Sequence, residues 1–197
     1  KSLWPALSAM DIQLGVNRVL WSAQGNTLLS LGKEQALLQQ LDLKAFDHIR
    51  PPTDALAQAA LRAANTLHPP WLTQHVLRTY LWGSFIGLNA GYRYDNSLFF
   101  SACALHDLGL TPHADQPAEH CFAVRGARAA QQLLIEAGGS VTQAATVAHA
   151  IVLHLELEVP ARQGLEAHLL HAGAGIEGPG RAPTAAGGGG ETRASSA

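Results

Sequence analysis

The chain has 197 residues, of which 47% are hydrophobic and 14% charged, with a formal net charge of -2. That length suits one compact core with peripheral additions, and the composition excludes a disordered or fibrous chain. The weak negative charge offers no basic field for nucleic acid or anionic lipid, and no run reaches the roughly 20 apolar residues of a membrane span. Two cysteines, Cys103 and Cys121, make no disulfide framework. The first residues, KSLWPALSAM, lack the basic-then-apolar pattern of a secretory signal, so the expected compartment is a reducing cytoplasm. Ten histidines in a chain with few other charges direct attention to metal chemistry.

Residues 1–50 read as an ambiguous N-terminal extension. Val16–Ser22 and Thr27–Leu31 fit short strands around Gln24-Gly25-Asn26, and Glu34–Leu41 fits a short helical stretch. Pro51-Pro52 followed by Thr53 predicts a helix start, with Ala-rich spacing running to Leu67 and His68-Pro69-Pro70 as its stop. From 71 to 89 a second helix places Trp71, His75, Arg78 and Trp82 on one stripe. Asn96 or Ser97 is the expected cap of the next helix, SLFFSACALHDLG, closed by Gly109. A loop over 110–118 leads to a helix at about 119–137. Ser140 then caps a helix predicted to run to the residues before Pro160, and a last helix covers about 164–175. The expected fold is all-α, a helical bundle over 51–177. The tail 178–197 has no Val, Ile, Leu, Met or aromatic residue and is expected to be disordered.

The chemistry concentrates at His106-Asp107. Two adjacent polar residues end an otherwise apolar helix, where one can reach an ion through nitrogen and the other through oxygen. A buried Asp without compensation is costly, and a metal ion compensates it well. The competing reading makes His106 a partner of a core carbonyl and Asp107 a cap of the following turn. His75 lies mid-helix on an aromatic face, where a histidine is commonly a hydrogen-bonded core residue. His149 and His154 are five residues apart, about 140° around the axis, so both cannot face one site. His154 shares its face with Val147, Ala150 and Ile151 and is the inward one. Cys103 reads as a small hydrophobe more readily than as a site residue. His113 and His120 flank a loop that can cover a pocket. His168 and His171 have ligand spacing but no evident third partner, and the Gly187–Gly190 run has no strand before it or helix after it, so it is no phosphate loop.

In order along the chain, QHVLRTYLWG, FFSACALHDLGL, CFAVRGARAA, AHAIVLHLELEVP and GLEAHLLHAGAGIEG resemble the HD superfamily of metal-dependent phosphohydrolases. The nearest likeness is to its cyanamide hydratase-like branch. The resemblance spans about residues 50–178. It implies a divalent ion (Zn, Fe or Mn) held by His75, His106, Asp107 and a carboxylate at the position of Glu177, where the family has Asp. Glu177 is one methylene longer and is followed by Gly178-Pro179-Gly180, so it is expected to be the weak ligand. The resemblance also gives His154 a place beside the site, for a second metal, the substrate or a proton. The implied catalytic residues are His154, Asp107 and Arg78, with Arg125 as a further anion-binding candidate.

The expected activity is hydrolysis of a small phosphate ester by metal-activated water. The alternatives are hydration of a small nitrile and a degenerate, non-catalytic ligand-binding domain. The expected partner is a small-molecule substrate, with neither nucleic acid nor membrane. Spacing fixes no substrate, no choice of metal and no oligomeric state.

Overall fold

A computed structural model describes residues 41–112 and 121–177, and among these no strand occurs. The strands expected at Val16–Ser22 and Thr27–Leu31, most of the Glu34–Leu41 helix, His113, His120 and the tail lie outside the described residues. Six α-helices build the described part: α1 (Ala55–Leu67), α2 (Pro70–Asn89), α3 (Asn96–Leu105), α4 (Phe122–Glu136), α5 (Val141–Leu153) and α6 (Leu165–Glu177). Short 3₁₀ turns at Leu43–His48, Leu108–Leu110 and Ala161–Gln163 join or precede them. No helix of the described residues is long and apolar enough to cross a membrane.

The caps follow local hydrogen-bond chemistry and correct two expected starts. Asp54, not Thr53, caps α1 by accepting from the amides of Leu56 and Ala57. Asp95, not Asn96 or Ser97, caps α3 by accepting from Ser97 and Leu98. A carboxylate carries charge as well as oxygen, which favours it at a helix N-terminus. Ser140 caps α5 as expected, and Gln143 returns the bond to complete a capping box. At its other end α5 stops at Leu153 and not before Pro160. The LELE segment that follows leaves the helix and exposes Leu155 and Leu157.

Helix α3 occupies the centre. Every residue from Leu98 to Leu105 is buried, and α1, α2, α5 and α6 all pack on it. A helix apolar on every side is stable only when surrounded, so FFSACAL dictates this position. Its small members (Ser101, Ala102, Cys103 and Ala104) let neighbours approach, while Phe99 and Phe100 form aromatic contacts with Tyr80 of α2, ring centroids 5.5 and 5.0 Å apart. Cys103 is fully buried in this core, and burial pushes its thiol pKa well up. It is a packing residue.

Two glycine contacts fix the arrangement. Where α2 crosses α6, a Cβ on Gly173 would strike the Thr79 carbonyl oxygen, and one on Gly83 would lie 2.7 Å from the Leu169 carbonyl. The second contact lies after α3. Gly109 does not close that helix as expected; α3 ends at Leu105, and Gly109 sits in the following turn, against α4. A Cβ there would strike the Phe122 carbonyl oxygen and come within 2.9 Å of the Gly126 nitrogen. Backbone obstructs both, so no side-chain adjustment relieves the clash. Gly109→Ala is accordingly expected to cost about 2–3 kcal/mol in chemical denaturation. An unchanged denaturation midpoint would show that the turn and α4 are not held this closely.

Candidate metal centre

Helices α2, α3 and α5 each deliver one histidine to a common point. His75 lies in the first half of α2. His106 caps the C-terminus of α3, with Asp107 directly after it, and His154 caps the C-terminus of α5. All four are buried, with 4% exposure for His75, 1% for His106, 6% for Asp107 and 5% for His154.

The geometry of the first three is close to an equilateral triangle. His75 Nε2 lies 3.3 Å from His106 Nε2, and each lies 3.4 Å from the same Asp107 oxygen, Oδ2. The centroid of a triangle with such sides is about 2 Å from every corner. Zinc bonds to nitrogen and carboxylate oxygen are roughly 2.0–2.2 Å long. The buried His75–His106–Asp107 group is therefore spaced to hold a metal ion.

Hydrogen bonding agrees with the donor set. His106 Nδ1 donates to the Cys103 carbonyl at 2.8 Å. Burial, opposed by the Asp107 charge, holds His106 down at about 4, so it is neutral at pH 7. A neutral ring that donates through Nδ1 presents a bare lone pair at Nε2. That lone pair faces His75 Nε2 and a carboxylate oxygen; the oxygen is also an acceptor, and the two acceptors repel unless a cation or a proton from His75 lies between them. His154 repeats the device. Its Nδ1 donates to the Ile151 carbonyl, burial lowers its pKa, and its Nε2 stands 3.8 Å from the other carboxylate oxygen, Oδ1. Asp107 is thus flanked on one oxygen by His75 and His106 and on the other by His154. Two helix C-termini, those of α3 and α5, also converge here, and their partial negative charge favours a cation.

The remaining candidates are placed as follows. His149 is exposed, with Nε2 bonded to the Gln163 carbonyl at 3.0 Å. His168 bonds the Val159 carbonyl and His171 the His154 carbonyl, so the pair spaced by three residues does not share a ligand. Arg125 donates to the Gly109 carbonyl at 3.1 Å and braces the turn after Asp107. Arg78 is half-buried on α2, one turn beyond His75, and is not among the described residues lining the cavity beside the cluster. Glu177 is the last residue of α6; its side chain lies outside the described ones. The cavity beside the cluster has a volume of about 530 Å³, and its lining includes Trp71, Leu110, Phe122 and Leu155, with His171, Ala174 and Gly175 from α6.

One residue of this region escaped the sequence reading. His68, in sequence part of a helix stop, is 6% exposed, and neither ring nitrogen has a hydrogen-bond partner among the described residues. Burial pushes it down to about 4; the charge of Asp107 opposes this shift and His75 adds to it, which places His68 within electrostatic reach of the cluster. The available signal was its seven-residue spacing from His75 across the Pro-Pro break, since a break that turns the chain back towards the core carries its last residue inward.

The helical architecture and the buried His-His-Asp group are compatible with an HD-type domain. No family model matches the chain, and no curated protein matches it either.

Because His68 lacks partners, an apolar side chain of similar size should be tolerated at its position. His68→Leu is expected to change stability at pH 7 by less than about 1 kcal/mol. The folded pKa of about 4 lies below the unfolded value of 6.5. The unfolded chain therefore takes up the proton first, so this contribution is full above the unfolded pKa and is lost as pH falls towards 4. His68→Leu should remove roughly 2 kcal/mol of the stability loss between pH 7 and pH 5, read by urea denaturation at each pH. A penalty above about 2 kcal/mol at pH 7 would show a buried partner for the ring.

Proposed function

We propose that this chain is a metal-dependent enzyme of HD type, with His75, His106 and Asp107 as its metal ligands. The observation that carries the reading is the triangle of two Nε2 atoms and one carboxylate oxygen with sides of 3.3, 3.4 and 3.4 Å, buried beneath a cavity. A divalent ion in such a site supplies Lewis acidity and lowers the pKa of water towards neutrality. The protein's own groups supply the rest. The Cys103 carbonyl fixes the orientation of His106, and Asp107 brings the negative charge that the ion neutralises. His154, with its free Nε2 near Asp107 and its ring on the cavity wall, is positioned to carry a proton between substrate and solvent. Zinc, iron and manganese all suit this nitrogen and oxygen donor set.

Of the two reactions the resemblance implies, attack on a neutral carbon such as a nitrile is better supported than hydrolysis of a phosphate ester. Among its described residues the cavity wall includes no Lys or Arg, and Trp71, Leu110, Phe122 and Leu155 make it largely apolar. A phosphate ester leaves charge on its oxygens that guanidinium or ammonium groups ordinarily hold. The rival reading, a non-catalytic domain that has lost its ion, predicts the same fold with no metal.

Metal analysis of the purified chain separates the two, with about one ion or more per chain expected. His106→Ala and Asp107→Asn should each lower affinity by at least about 100-fold, more than the 10–100-fold typical of outer supports. Glu177→Ala is expected to change it by less than about tenfold, as the weak ligand. Metal-free protein whose affinity is indifferent to His106 and Asp107 would overturn the enzyme reading, whereas a collapse of affinity in Glu177→Ala would make Glu177 a full ligand.

A further inference from the structure

The cavity beside the cluster is larger than a reacting group of a few atoms requires. Its volume of about 530 Å³ falls within the roughly 300–1,000 Å³ of pockets that enclose drug-sized ligands. Three glycines of α2 and α6, Gly83, Gly87 and Gly173, are required by packing, because a Cβ on each would approach another atom to 2.7 Å or less. Gly175 differs. It is exposed, a Cβ built there meets nothing within 4 Å among the described residues, and its backbone has no positive φ that would call for glycine. It is the third-last residue of α6, inside a helix, where glycine has low propensity. No packing contact among the described residues explains it, yet it lines the cavity, beside Ala174 and in one wall with His171.

We propose that Gly175 is a specificity-determining residue, leaving the space in which an uncharged substrate with an aromatic or branched apolar body rests while its reacting group meets the His75–His106–Asp107 cluster. The inference rests on the reading of that cluster as a metal centre. Trp71, Phe122 and Leu155 supply the apolar surface against which such a body is desolvated, and the absence of a described Lys or Arg from the wall disfavours a charged one. A side chain at 175 would meet no described atom within 4 Å at its Cβ, and on this proposal it shortens the cavity without disturbing the core. Stability and binding therefore respond in opposite directions to the same substitution, the pattern expected of a residue kept for function.

The test uses the full chain loaded with cobalt(II), whose visible absorption reports ligands that reach the metal. Two probes share a chelating head and differ in body: acetohydroxamic acid carries a methyl group and benzohydroxamic acid a phenyl ring. The native chain is expected to bind the phenyl probe at least about tenfold more tightly, the gain that burial of a ring supplies. Gly175→Leu should abolish that preference and leave affinity for the methyl probe within about threefold. Gly175→Ala, which keeps the fold on any reading, should melt about 2–4 °C higher than the parent and show a reduced preference. Equal affinity of the native chain for both probes overturns the proposal, as does a phenyl preference that survives both substitutions. A chain that takes up no cobalt overturns the metal reading itself, a failure visible before either probe is added.

Discussion

The carboxylate of Asp107 is the constraint around which this bundle is organised. It stands at the end of the most buried helix, 6% exposed, with histidine rings beside both of its oxygens. Removing an ion from water costs several kcal/mol even after relaxation. Two of the rings beside it, His106 and His154, are held neutral at pH 7 by burial and so bring no compensating charge. A bound cation resolves the charge and the crowding of acceptors together. Helix α3 thus carries this residue to a place where α2 and α5 bring histidine rings beside it.

The two glycine contacts serve the same end. Gly109 and Gly126 bring the turn after Asp107 against α4, and Arg125, from the same stretch of α4, holds the Gly109 carbonyl. The crossing at Gly83 and Gly173 brings α2, which carries His75, against α6, which forms one wall of the cavity. Neither contact lies within the His75–His106–Asp107 group; each sets the distance between elements that carry that group or line the cavity beside it.

Much of this was legible in the sequence because it depends on local pattern. The all-helical class follows from apolar spacing and stop signals, and the central place of α3 follows from a run with no polar face. His106-Asp107 drew attention as a polar pair at the end of that run. The inward face of His154 and the outward one of His149 follow from 140° of helical phase. What could not be read was decided by tertiary contacts. LELE has good helical propensity and no glycine or proline before Pro160, so nothing local told that α5 would stop at Leu153. Gly109 looked like a helix terminator because the carbonyl of Phe122, thirteen positions later, is invisible to local pattern. His68 was hidden for a similar reason: it follows an exposed helix end in sequence but lies inside in space.

The repeated pinning of His106 and His154 has a kinetic side. Each ring is tied to the carbonyl three residues before it, in the last turn of its own helix. Ordering a side chain costs up to about 2 kcal/mol in lost rotamer freedom, and here that entropy is surrendered when the helix forms, not when an ion arrives. On the proposed metal reading, an ion would meet rings already aimed, with little reorganisation left. The same economy binds the site's fate to two helix ends. Fraying of a single turn at the end of α3 or α5 would free a ring to rotate, so on the proposed metal reading the site would open with one helical turn while the rest of the bundle stays folded.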